Sequence, residues 1–328
     1  MVSVKSLFSA ILAGAVFAPA RGTWTSLAPI LVGGTLQEHA TVALSDSFLM
    51  VVGGLVEGGD TTGNLLLYDI FADAWTPLTP LPTPMNHPNA VVFEGGVFVL
   101  GGLGAGDGWP PVRETFRYSP ETDMWQELEA MPEGSERGSA ITVVYGNRAY
   151  LAGGIPGGAG ETVDDVSIFD LESRRWVDVP EAARHIPEPR DHGGGAVIDG
   201  KFYVVGGRDA GLENVKDTVF ILDLENLEGG WTTSETSMPT ARGGLSVATI
   251  GSKIYTFGGE GNPEDGSDGV FDNVEVYDTE TGEWEVLEPM ELPRHGTSAA
   301  TVGDRIYIPG GGIVQGVGAT DAFDAFDP

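Results

Sequence analysis

Apolar and polar residues follow one another along this chain in short runs, each broken by a tight turn. Runs such as Lys201-Phe-Tyr-Val-Val205 and Lys253-Ile-Tyr-Thr-Phe257 are too short for helices and rich in β-branched and aromatic residues, so they predict strands. Each is preceded, across a two-residue turn, by a second run of the same kind. The turns are Asp46-Ser47, Glu94-Gly95, Gly146-Asn147, Asp199-Gly200, Gly251-Ser252 and Gly303-Asp304. Several contain Gly or Asn, which tolerate the positive φ of a two-residue hairpin turn. The pattern therefore predicts six β-hairpins.

Each hairpin ends in a Gly-Gly doublet: Gly53-Gly54, Gly101-Gly102, Gly153-Gly154, Gly206-Gly207, Gly258-Gly259 and Gly310-Gly311. Successive doublets are 48, 52, 53, 52 and 52 residues apart, a period that marks a repeat architecture. An aromatic-Asp pair follows most of them, at Tyr68-Asp69, Phe169-Asp170, Tyr277-Asp278 and Phe326-Asp327. A tryptophan comes next, at Trp75, Trp125, Trp176, Trp231 and Trp284, and opens a fourth, outer strand. This resembles the kelch repeat, and the resemblance covers nearly the whole chain. It implies an all-β, six-bladed kelch β-propeller with four antiparallel strands per blade. The last doublet has no tryptophan after it, whereas Trp24-Thr-Ser-Leu27 matches the outer strands elsewhere. The N-terminal strand is therefore expected to complete the last blade and close the ring.

Residues 1–20 differ in character from the rest of the chain. Lys5, the apolar run Leu7–Phe17 and Ala18-Pro19-Ala20 have the three parts of a secretory signal peptide. The expected organisation is a signal peptide over 1–20 and a propeller over 21–328, secreted to the extracellular space. There is no cysteine, so no disulfide supports the fold. The net charge of −31 disfavours nucleic acid and anionic membrane surfaces, and a monomer is expected.

Against that acidity, basic groups gather at one point of the repeat, just before strand one. Sixteen residues before each doublet stand Gln37, Met85, Arg137, Arg190, Arg242 and Arg294; fourteen before stand His39, His87, Ser139, His192, Gly244 and Gly296. His295 falls between the two sets. If these side chains face the channel mouth, Arg137, Arg190, Arg242 and Arg294 form a cationic ring suited to a small anionic ligand. The alternative is that the arginines bond neighbouring blades, since Pro-Arg before strand one belongs to the kelch pattern. His192 and His39 are the candidate proton carriers; His87, His295 and the loop residue Trp109 are candidate ligand contacts. His39, His87 and His192 could converge as three imidazoles, but Ser139 interrupts them, and no metal or cofactor is expected. Glu264, Asp265 and Asp268 lack the spacing of a calcium loop.

Two function classes fit these features. The first is a secreted propeller that binds a small ligand or a protein on the face carrying its long loops. The second is a cofactor-free isomerase, cyclase or mutarotase acting on an anionic or enolisable molecule, as the resemblance to secreted kelch epimerases and to fungal metabolite-pathway propellers suggests. Galactose oxidase is also kelch-like, but its copper-radical site needs a Tyr–Cys crosslink, which a chain without cysteine cannot form. The nitrile-specifier proteins use a Glu-x3-Asp-x3-His motif, and no histidine here has that spacing.

Overall fold

All six hairpins form, and each becomes the inner half of a four-stranded antiparallel sheet. This is seen in a computed structural model that describes residues 22–157 and 161–328. The expected signal segment over 1–20 lies outside the described residues. Blade one comprises Ala40–Ser45, Phe48–Val52, Leu65–Asp69 and Ala74–Pro77. Blades two to five repeat this order, with innermost strands Ala90–Phe93, Ile141–Tyr145, Gly194–Ile198 and Ser246–Ile250. Blade six takes Ala300–Val302, Arg305–Pro309 and Phe323–Asp327 from the C-terminal side and Thr23–Ser26 from the N-terminal side. The register pairs Trp24 with Phe326, so the expected closure is observed.

The core lies between blades. Met50, Val52 and Leu65 of blade one pack with Val97, Val99 and Phe116 of blade two, and equivalent layers recur around the ring. The outer-strand tryptophans serve this packing. Trp75, Trp125, Trp176 and Trp284 lie 4.9–5.0 Å from the aromatic ring of the aromatic-Asp (or Tyr118-Ser119) pair in their own blade. Such ring pairs contribute ~0.5–1.5 kcal/mol beyond the area they bury. The indole N–H groups of Trp75, Trp125, Trp176 and Trp231 then donate to Ala28, Thr79, Glu129 and Ala183 in the preceding blade. The doublets sit where blades crowd the axis. Gly258, at φ +56°, has no room for a Cβ because the Arg294 carbonyl of the next blade presses on it.

Blade one departs from the repeat by one residue. Its inner hairpin pairs Ala43 with Leu49 and Ser45 with Phe48, leaving Leu44 as a bulge. This extra residue displaces everything N-terminal to it by one position and changes which side chain of blade one reaches the axis.

Candidate functional site

Just before each innermost strand, one residue adopts left-handed backbone geometry: Glu38 (φ 51°), His87 (49°), Ser139 (53°), His192 (50°), Gly244 (61°) and Gly296 (56°). These six form a closed girdle. The N–H of Glu38 donates to Gly296, His87 to Glu38, Ser139 to His87, Gly244 to His192 and Gly296 to Gly244, at 2.6–3.0 Å. The sixth link runs from the His192 N–H to the Ser139 hydroxyl. The fixed spacing from the doublet names His39 as the blade-one member. Because of the bulge at Leu44, the member is Glu38.

Above this girdle, among the long loops, lies a cavity of about 440 Å³. The residue just after each doublet bridges back to the lead-in of strand one: Leu55 to Gln37, Leu103 to Asn86, Ile155 to Gly138, Arg208 to Asp191, Glu260 to Gly243 and Gly312 to His295; all of these but Gly312 line the cavity wall. Read in ring order, one side is apolar (Leu55, Leu103, Ile155) and the other ionic (Arg208, Glu260). Trp109 adds a ring 5.5 Å from that of His87, and Val317 and Leu212 line the rim. Gln37 organises that rim: its amide donates to Gly316 O (2.7 Å) and accepts from the Gly318 N–H (2.6 Å).

The floor is a buried polar network. His87 Nε2 and His192 Nε2 are 3.0 Å apart, and Glu38 Oε2 lies 3.2 Å and 3.7 Å from them respectively. Each imidazole is held from behind, His87 Nδ1 by Asn86 Oδ1 and His192 Nδ1 by Asp191 Oδ1, both at 2.5 Å. Arg208 joins the ionic side through Asp191 Oδ1 (3.0 Å) and the Glu260 carboxylate. Thr162 donates to the other Asp191 oxygen at 2.6 Å. Burial opposes ionisation of Glu38, but its electrostatic interactions with the His87, His192 and His295 imidazoles and with the Arg208 guanidinium outweigh it and hold the carboxyl at about 2. Asp191 is likewise held at about 2: burial works to raise it, and the hydrogen bond from His192 with the electrostatic pull of its imidazole and of the Arg208 guanidinium prevails. Burial pushes His87 down to about 4, opposed in part by Glu38, so at neutral pH it is an uncharged imidazole.

The structure distributes the sequence candidates unevenly. His87, His192 and Trp109 line the cavity. His295 lies behind its wall, with Nε2 donating to Val314 O at 2.9 Å and Nδ1 between Glu38 and Glu260. His39 follows the girdle residue Glu38 and does not line the cavity: it lines a separate pocket beside the girdle, with its Nε2 close to Gly310 of blade six. Neither of its ring nitrogens has a hydrogen-bond partner among the described residues, and burial pushes it down to about 4.

The cationic ring at the mouth does not form. Arg137, Arg190, Arg242 and Arg294 are at most 1% exposed, and their guanidiniums turn into the blades. The first three donate to the first glycine carbonyl of their own doublet: Gly153 (2.6 Å), Gly206 (2.7 Å) and Gly258 (2.8 Å). Arg242 also pairs with buried Glu275, and Arg294 pairs with Asp324 at 2.9 Å. The physical reason is local: glycine carbonyls at a crowded turn need donors, and an arginine two residues before the girdle supplies them. The cavity's one guanidinium among the described residues belongs to Arg208, which the spacing from the doublets did not single out. Glu38, Asp191 and Glu260 were missed with it. The position after each doublet, where Arg208 and Glu260 stand opposite Leu55 and Leu103, was the available signal.

Comparison with known proteins agrees with this architecture. The KLHDC2/KLHL20/DRC7 Kelch-repeats domain matches residues 155–312. Kelch-like protein terF of Aspergillus terreus is 37% identical over 94% of this chain and 69% of its own length. Kelch-like protein 34 of Homo sapiens is 29% identical over 77% of this chain, and Kelch-like protein 38 of Rattus norvegicus 26% over 86%. The chain spans 38% and 46% of the lengths of those two. With the six-bladed ring and a relative of this similarity along nearly its full length, the chain belongs to the kelch-repeat propeller family.

Proposed function

We propose that this propeller is a binding protein whose ligand is a small molecule with an apolar body and a polar end, taken into the cavity among the long loops. The observation that carries this reading is the division of the cavity. Leu55, Leu103, Ile155 and Trp109 offer an apolar wall, and Arg208, Glu260 and the Glu38–His87–His192 floor offer a polar one. The volume is within the ~300–1,000 Å³ usual for small-molecule sites. The ligand differs from the expected anion. The arginines meant to hold an anion are engaged inside the blades, the carboxylates of Asp191 and Glu260 pair with the guanidinium of Arg208, and the Glu38 carboxylate stands beside His87 on the floor. The isomerase reading relied on those arginines to hold its substrate and loses that support.

A thermal-shift screen tests the proposal, with uncharged partly apolar compounds set beside small carboxylates and sugar acids. The expected result is stabilisation by members of the first group, abolished by Leu103→Trp, which fills the cavity, and weakened by Trp109→Ala. Binding only of carboxylates, or binding untouched by Leu103→Trp, would overturn it. We also propose that the protein is secreted, from the signal-peptide pattern of residues 1–20. Expression in a eukaryotic secretory host and N-terminal sequencing should find Arg21 first in the medium; retention of an unprocessed chain in the cytosol would contradict this.

A further inference from the structure

The floor of the cavity has an unusual balance of protons. Asn86 orients its amide by donating from Nδ2 to Thr61 Oγ1 (2.7 Å) and Gly104 O (3.4 Å), so Oδ1 faces His87 as an acceptor. Asp191 likewise faces His192 with a carboxylate oxygen. Each Nδ1 must therefore carry the proton, and each Nε2 is left with its lone pair. The two lone pairs meet at 3.0 Å with a carboxylate oxygen beside them, an arrangement that repels itself unless a cation lies at its centre.

We propose that Glu38, His87 and His192 bind one divalent first-row transition-metal ion, of the Zn2+ or Fe2+ class, at the floor of the cavity. The ligand-atom separations are 3.0, 3.2 and 3.7 Å. Ligands bound ~2.0–2.2 Å from one ion stand about 2.8–3.6 Å apart for octahedral to tetrahedral angles, so the two shorter separations fit and the Glu38–His192 separation needs to close by about 0.1 Å. Two imidazoles and one carboxylate on one face of an ion leave its other positions open, and here the cavity lies on that side. The supporting shell is also present: each ligating imidazole donates its far N–H to an oxygen acceptor, which fixes the tautomer and aims Nε2.

Arg208 does not occupy the site. Its Nη2 is 3.2 Å from His192 Nδ1 and 3.1 Å from Nε2. A group equidistant from both nitrogens of one ring stacks over the ring face and lies on neither lone pair. Its charge is matched by Asp191 and Glu260. A second cluster, Asp164, Asp165 and His185, is more exposed and serves as the internal control. The metal site is read from ligand atoms alone and stands whether or not a small molecule enters the cavity above it.

The test is metal binding by the chelator-treated full-length mature protein. Equilibrium dialysis against Zn2+, and against Fe2+ without oxygen, is read by elemental analysis, with Co2+ as a spectroscopic probe. The wild type should take up about one equivalent, and the Co2+ spectrum should show mixed imidazole and carboxylate ligation. Glu38→Gln and His192→Ala should abolish uptake, whereas His185→Ala should retain it. Asn86→Ala leaves the ligands in place and should weaken affinity by ~10–100-fold through the lost aim of His87. It also keeps the proposal testable if a ligand variant fails to fold by circular dichroism. A wild type that binds no metal, so that the two imidazoles share only a proton, overturns the proposal. So does uptake that survives both Glu38→Gln and Asn86→Ala unchanged, or that disappears with His185→Ala.

Discussion

If the buried arginines pin the blades, Arg137→Met should damage the fold and spare the cavity. Arg137 is 1% exposed. Its Nε donates to Gly153 O at 2.6 Å and its Nη2 to Leu151 O at 3.2 Å, both in buried surroundings. Further bonds reach Ser135 O, Ser167 Oγ and Asp165 O nearer the surface. Methionine keeps most of the stem's packing and removes every donor. Two buried carbonyls then lose their partners at ~1–3 kcal/mol each. Part of this is offset because the guanidinium no longer has to be buried; burial already holds its pKa down at about 10. The net loss is ~2–5 kcal/mol. For about 300 ordered residues the unfolding entropy is roughly 0.6 kcal/mol per degree, so Tm should fall by ~3–8 °C. Calorimetry of the purified variant measures this directly, and affinity for any ligand found by screening should stay within about twofold of wild type. A variant that melts within about 1 °C of wild type but no longer binds ligand would refute the reasoning and return Arg137 to the site.

Other perturbations separate the scaffold from the site. Gly258→Ala forces a Cβ against the Arg294 carbonyl at φ +56° and should prevent soluble expression. Gly303→Ala, at φ +62° in a turn with open space, should cost only the ~1–2 kcal/mol of left-handed geometry, seen as a small drop in Tm. Removing residues 21–26 deletes the strand that closes blade six, together with the Trp24 contacts to Phe257 and Phe326. The truncated chain should melt far below wild type and expose apolar surface to a dye. Trp109→Ala should lower ligand affinity tenfold or more, as loss of an aromatic anchor does, with Tm nearly unchanged.

The ring was legible because its determinants are periodic. Six doublets, six turns and the tryptophans each recur at the same place in the repeat, and Trp24 at the other end of the chain announced the closure. The site was legible mainly where it followed the same period, which is why His87 and His192 were found; Trp109 was found differently, as a tryptophan standing off the period in a long loop. Glu38 was hidden by one extra residue, Leu44: counting back from Gly53 lands on His39, and only the strand register shows the bulge. Arg208 and Glu260 were hidden for a different reason. They follow the doublet, where sequence alone shows only the start of long, dissimilar loops, and their meeting depends on the ring being closed. The arginines were misplaced because spacing gives a radial position but not the direction of a long, flexible side chain. The carbonyls of Gly153, Gly206 and Gly258, which the sequence does not show as acceptors, decide that direction.

Hydrogen–deuterium exchange, with and without the strongest stabilising compound from the screen, tests most directly whether the cavity among the long loops is where this protein meets its ligand. Protection should concentrate in the segments that frame the cavity, residues 103–112, 208–216 and 312–320, and in the girdle around His87 and His192. Protection confined to the hairpin turns of the opposite face, at 46–47, 146–147 and 251–252, or to the outer strands, would contradict it.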